Sequence, residues 1–219
     1  MIMSEDTYLG AMTQQTIYEP IFDKLECRVD AATMDQLRAS LAGVDSVMPG
    51  ALLELTKVLL AQSELNINLQ ESFLRLQATA PTDDLSLPQS DPHYRELSER
   101  AIVLRRVLAR IPDEMADRRQ FLETIKEIAS SIKKLLDATN AIHQAVPASA
   151  QGAVERRKKE FVHYSKRFSN TLKEYFKGEQ ASHVFVSANQ LIFQTSLIVR
   201  TVRDKTKIAN ASENANTSL

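Results

Sequence analysis

The chain has 219 residues (24.6 kDa), 43% hydrophobic and 25% charged, with five glycines and seven prolines. It is long enough for one large or two small domains and too apolar for a disordered chain. So little glycine argues against the hairpins and phosphate loops of sheet-rich or nucleotide-binding folds, and an all-α fold is expected. A net charge of −1 conceals a split, with 7 Lys+Arg against 16 Asp+Glu in residues 1–100 and 20 against 12 in the remainder, so a basic C-terminal part is suited to acidic ligands.

Cys27 is the single cysteine, so no intramolecular disulfide can form and a reducing compartment is expected. The opening MIMSEDTYLG carries acids where a signal peptide carries a basic region, and no apolar run reaches the length of about 18 residues that spans a membrane. A cytoplasmic chain is expected, with the first ten or so residues disordered. Tyr18, Ile21, Phe22 and Leu25 then show helical spacing, as do Met34, Leu37, Leu41 and Val44 after the N-cap candidate Asp30. Met48-Pro49-Gly50 breaks the chain. Beyond it Leu52, Leu55 and Leu59 form one stripe, while Leu53, Val58 and Leu60 widen the apolar face past what a surface helix requires. Leu65, Ile67 and Leu69 alternate like a strand, but Leu69, Phe73 and Leu76 return to helical spacing. A unit of about 70 residues with this much surplus apolar surface is marginal alone, and dimerisation is expected of residues 1–79.

Residues 80–94 hold Pro81, Pro88 and Pro92 among small and acidic residues and read as a semi-rigid interdomain linker. Four long segments follow. Leu97, Ala101, Leu104, Leu108 and Ile111 step by four and three up to Pro112, and Ile125, Ile128, Ile132, Leu135, Thr139 and Ile142 step similarly. After a turn expected at residues 147–152, Phe161, Ser165, Phe168, Leu172 and Tyr175 form a third stripe, with Gly178 in the C-cap role. Val184, Ala188, Leu191, Thr195, Ile198 and Val202 form the fourth. The expected architecture is an antiparallel four-helix bundle over residues 95–204, followed by a disordered tail over residues 205–219.

One position round from the core stripe of the second bundle helix lie Leu122, Lys126, Ala129, Lys133 and Leu136. The third helix repeats the same steps with Val162, Lys166, Ser169, Lys173 and Phe176. On one helix such lysines describe a solvated face. On two adjacent helices, the small residues Ala129 and Ser169 would leave a trough with apolar ends and four lysines along its rims, a socket for an acidic amphipathic helix. The alternative use of these lysines, together with Arg156-Arg157-Lys158-Lys159, is a patch for phosphoinositide headgroups at a membrane surface. No aromatics interleave with the basic run, so nucleic acid is not the expected partner. The four histidines are scattered and no nucleophile, metal-ligand or phosphate-loop motif occurs, so neither catalytic residues, a metal nor a cofactor is expected.

The runs IPDEMADRRQFLETIKEIASSIKKLLDATN (residues 111–140), KKEFVHYSKRFSNTLKEYFK (158–177) and VFVSANQLIFQTSLI (184–198) closely resemble the programmed cell death protein 10 family, the third cerebral cavernous malformation family. Weaker likeness reaches back through INLQESFLRL (67–76) and YEPIFDKLE (18–26). The resemblance implies a non-catalytic adaptor with an N-terminal helical dimerisation domain and a C-terminal bundle similar to the focal-adhesion-targeting domain. It further implies homodimers or heterodimers with germinal-centre class III Ste20-like kinases, through positions matching Leu37, Ser40, Leu59 and Leu60. The bundle would take leucine-aspartate helices of the paxillin type and the malformation scaffold protein through Lys126, Ala129, Lys133, Lys166, Ser169 and Lys173. Such an adaptor links kinases to striatin assemblies in the cytoplasm, with Golgi or plasma-membrane association. Three departures stand out: Ser40 where the family can carry alanine, three prolines in the linker, and the extra tail after Asp204.

Overall fold

Every regular element of the computed structural model is helical among the residues it describes, which are 4–87 and 91–216 with the side chains of Glu5 and of residues 207–216 excepted. The chain divides into two units, Met1–Pro81 and Thr82–Leu219.

In the first unit, α1 (Glu5–Thr13) runs through a π-helical turn (Gln14–Tyr18) into α2 (Glu19–Leu25), followed by α3 (Ala31–Val47), α4 (Ala51–Gln62) and α5 (Leu69–Gln77). Asp30 caps α3 as its sequence position indicates, its carboxylate accepting from the Thr33 amide at 3.0 Å. Asn68 caps α5 in the same way, through the Glu71 amide at 3.1 Å. Between α4 and α5 the strand-like alternation is a loop in which Glu64 takes a φ of 57°; a lone strand would have had no ladder partner. Residues 5–13 are not a loose tail. Tyr8 and Leu9 are fully buried with Phe73 and Leu74 of α5, and the Gln70 amide donates to the Tyr8 hydroxyl at 2.7 Å. Gln77 of α5 likewise donates to Thr16 Oγ1 in the π-turn at 2.8 Å, so two buried glutamines clamp α5 to the start of the chain. A Cβ added to Gly10 would meet Gly50 Cα at 3.2 Å, and Gly50 takes a φ of 89°. The break at Met48-Pro49-Gly50 therefore starts α4 at a close approach to α1.

The second unit holds α6 (Pro92–Ala109), the short α7 (Ile111–Glu114), α8 (Arg118–Ala145), α9 (Ala148–Tyr175) and α10 (Ala181–Asn216). Contacts of α6 with α8, α8 with α9, α9 with α10 and α10 with α6 close a ring, the expected four-helix bundle. Its core is built from the stripes of the sequence, Leu97, Ala101, Leu104, Leu108, Ile111, Phe161, Phe168, Leu191 and Ile198 among them, all buried.

Three boundaries differ from expectation. The segment read as a linker is not free: Leu85 and Leu87 are buried within the second unit, Asp83–Leu85 forms a 3-10 turn, and Asp91 caps α6 with Pro92 in its first turn. Prolines flanking a short acidic-apolar stretch gave the signal of a spacer, but its leucines find the bundle; Pro88 lies outside the described residues. The expected tail continues α10 to Asn216, since residues 179–216 contain neither glycine nor proline to stop a helix; residues 217–219 lie outside the described part. The turn expected at residues 147–152 shortens to Pro147, and Gly152 sits inside α9.

If Tyr8 ties α1 into the core, Tyr8→Ala should remove about 3–5 kcal/mol of stability from the first unit. Urea unfolding checks this, and an unchanged midpoint would return residues 5–13 to the status of a tail.

Candidate functional site

Helices α8 and α9 are antiparallel neighbours whose register is pinned at both ends. Near one end the Phe121 ring stands 5.8 Å from both Tyr175 and Phe176, edge-on to the first. Near the other, Lys158 Nζ donates to Asn140 Oδ1 at 3.1 Å. In the register these contacts fix, Leu122 lies level with Phe176, Lys126 with Lys173, Ala129 with Ser169, Lys133 with Lys166 and Leu136 with Val162. The structure thus brings the two stripes side by side. The four lysines, Ala129 and Ser169 are all exposed, and Leu136 and Val162 are half-buried. No segment of the second unit fills the trough among the described residues. The Ser169 hydroxyl donates to the Ser165 carbonyl at 3.0 Å, which turns it back on its own helix and leaves the floor shallow.

Lys126 is bridged to Glu123 one turn earlier at 2.8 Å, an exposed pair worth little and easily exchanged for a partner's carboxylate. Lys133, Lys166 and Lys173 have no carboxylate within 4 Å among the described residues. The basic run after the α9 start is more occupied: Lys158 pairs with Glu155 and Arg157 with Glu160. Sequence reading placed Phe176 at one end of the trough but missed Arg118, Phe121 and Tyr175 beside it. There the Arg118 guanidinium lies 5.8 Å above the Phe176 ring, and Phe121 and Tyr175 wall the same end. Its signal was present in two adjacent pairs, Phe121-Leu122 and Tyr175-Phe176, each offering one residue to the core and the next to the trough.

The direction of α8 is set where it leaves α7. Asp117 caps it, accepting from the amides of Arg119 and Gln120 at 2.8 and 3.1 Å. Arg110, just before α7, reaches both Glu114 at 2.8 Å and Glu127 on α8 at 2.7 Å, while the Thr124 hydroxyl donates to Glu114. Burial pushes the Glu114 carboxyl up, but hydrogen bonds from Arg110 and Thr124 outweigh it and hold the group below its ordinary value.

In the first unit, Arg38 ties α3 to α2 through Glu19, Asp23 and Glu26, with its guanidinium 5.5 Å from the Phe22 ring. With α3 held so, Met34 is its only buried residue among those described, and Leu37, Ser40 and Val44 face outward. Leu55, Val58 and Leu59 of α4 are exposed too, while Leu60 is half-buried. Of fourteen large apolar side chains exposed among the described residues, eleven belong to Met1–Pro81. Of the other three, two are Leu122 and Phe176, the end of the trough. Unsatisfied apolar surface is thus concentrated at the two places the sequence marked for partners.

The comparisons with known proteins also divide the chain in two, at an earlier point than the two units of the structure. Residues 6–66 match the model of the programmed cell death protein 10 dimerisation domain, and residues 67–159 match that of the programmed cell death protein 10 C-terminal domain. The chain belongs to the programmed cell death protein 10 family. A curated relative, the programmed cell death protein 10 homolog of Caenorhabditis elegans, is 55% identical over 208 residues, which cover 92% of this chain and 97% of the relative. The family has a dimerisation domain, consistent with an adaptor, and is not a known enzyme family. Its C-terminal model begins ahead of α5, which in this structure packs against α1 in the first unit. Among the described residues no helix is long and apolar enough to cross a membrane.

Because the folded Glu114 is held below its unfolded value, its stabilising effect is complete above the ordinary carboxylate range and disappears as pH falls through its folded value. Glu114→Gln should therefore be less stable than the parent at neutral pH, with the gap closing as acid is added. Thermal melts at stepped pH measure this; a gap independent of pH would show that the ionised carboxylate does not anchor α8.

Proposed function

We propose that this chain is a non-catalytic adaptor with two docking surfaces. Its N-terminal unit pairs the outward edge of α3 and α4 with a second copy or with the C-terminal tail of a germinal-centre class III Ste20-like kinase. Its bundle takes acidic amphipathic helices of the leucine-aspartate type, including those of paxillin-like proteins and the malformation scaffold protein. Through both surfaces the adaptor links the kinase to striatin-type assemblies.

The observation that carries the reading is the level placement of the two stripes across α8 and α9. A docked helix would set leucines between the Leu122–Phe176 and Leu136–Val162 ends, over the small floor of Ala129 and Ser169. Its carboxylates would meet Lys126 and Lys173 on one level and Lys133 and Lys166 on the next. The lysine stems cover apolar surface while their ammonium groups remain hydrated, so the trough stays soluble when empty. Micromolar affinity, about 8 kcal/mol, is typical of so short an anchor. Pairing of Arg157 and Lys158 with neighbouring glutamates lowers the charge available for a phosphoinositide patch and favours the helix.

For the trough, Lys126→Glu combined with Lys173→Glu should lower the affinity for a leucine-aspartate peptide by tenfold or more, with stability kept within about 0.5 kcal/mol because both side chains are solvated. Calorimetry with peptide, beside sedimentation with phosphoinositide vesicles, reads the outcome. Unchanged peptide affinity sinks the helix socket, and vesicle binding that falls in step with charge would favour the lipid surface instead. For the N-terminal unit, Leu37→Ala with Leu60→Asp should halve the molar mass in light scattering and abolish capture of the kinase tail. A variant that still binds the tail normally would place the interface elsewhere.

A further inference from the structure

On the side of the bundle away from α8 and α9, the segment Thr82–Leu87 lies across α6 and α10. Its contacts are those of a bound peptide. The Asp84 carboxylate pairs with Arg105 of α6, whose side chain is only 3% exposed. Arg203 of α10 donates through one nitrogen to the carbonyls of Asp83 at 3.0 Å, Asp84 at 2.8 Å and Ser86 at 2.6 Å. The Leu87 amide donates to Ser98 Oγ at 3.1 Å, and Leu85 and Leu87 are 1% and 4% exposed. Beside Ser86 and Leu87 lies an open cleft of about 220 Å³, lined also by Arg95, Ser98, Glu99 and Ile102 of α6.

We propose that the α6–α10 face is a second docking site, occupied in cis by Thr82–Leu87, and that its partner is an extended segment of the form Asp-Leu-x-Leu supplied in trans. Charge complementarity fixes that chemistry. Arg105 is buried and already holds a carboxylate at this place, so a segment that replaces Thr82–Leu87 must bring an acidic group to the same position. Arg203 reads main-chain carbonyls and tolerates any side chain at the intervening position, whereas the two leucine pockets and the Ser98 acceptor set the spacing. Unlike the trough of α8 and α9, the site selects a turn followed by extended backbone, since Ser86 has φ −79° and ψ 134°. The cleft along α6 lets a longer partner make contacts the internal segment does not. The tether holds Thr82–Leu87 at high effective concentration, so only such a partner, or a loosened segment, shifts the balance.

The probe is a fluorescein-labelled peptide with the sequence of residues 82–87, titrated into the full chain and read by anisotropy. Leu87→Ala, which weakens the internal segment and leaves the Asp84 contact in place, should bind the peptide at least tenfold more tightly than the parent chain. Adding Arg105→Met to that variant should remove the binding, and a peptide with asparagine for both aspartates should bind neither. On the parent chain, unlabelled peptide in large excess should accelerate hydrogen exchange at the Leu87 amide, which needs no altered protein. Equal binding to the parent and to Leu87→Ala, or exchange at Leu87 indifferent to peptide, overturns the proposal. Lys126→Glu with Lys173→Glu should not affect either readout, and a loss of binding in that variant would assign the peptide to the α8–α9 trough and overturn it too.

Discussion

The antiparallel register of α8 and α9 is the constraint on which the candidate site depends. It rests on an aromatic contact at one end, Phe121 against Tyr175 and Phe176, and a single hydrogen bond at the other, Lys158 to Asn140. A helix presents a new face with each residue, so sliding one helix by one position would move lysines off the rim and set Ala129 against a longer side chain. Aromatic packing supplies the part of that constraint which does not weaken with salt. The caps and the Arg110 cluster aim the start of α8 so that the packing can form.

The two units meet a shared physical problem in different ways. The bundle buries most of each stripe, with Ile125, Ile132 and Tyr175 half-buried, and two of its three exposed large apolar side chains among the described residues, Leu122 and Phe176, stand at the end of a charged trough. The first unit does not close its core. Arg38 and the two buried glutamines hold α3 and α5 in place, yet the edge of α3 and α4 stays outside. Its match to a dimerisation domain fits that arrangement, because a partner supplies burial the chain cannot give itself.

Much of this was legible in the sequence because helices write their contacts at regular intervals. The core stripes of the bundle and the caps at Asp30 and Gly178 are read directly from spacing. The duplicated lysine stripe identified the two helix faces but not their register, which depends on Phe121, Phe176, Asn140 and Lys158 meeting across a hairpin. Short segments were harder. Tyr8 and Leu9 precede any repeating pattern, and their burial depends on Gln70 some sixty residues away. The acidic, proline-flanked segment at residues 82–87 reads as a spacer until Arg105 and Arg203 are placed beside it. The tail reads as disordered because it is polar, whereas a helix already formed by α10 extends through polar residues when nothing interrupts it.

The most direct test of the central claim is nuclear magnetic resonance of the isotopically labelled full chain during titration with a leucine-aspartate helix. Amide shifts should concentrate at Ala129 and Ser169 and ring shifts at Phe176, saturating together at a single affinity. Shifts confined to α10, or at α8 alone with Ser169 unmoved, would contradict a trough shared by the two helices.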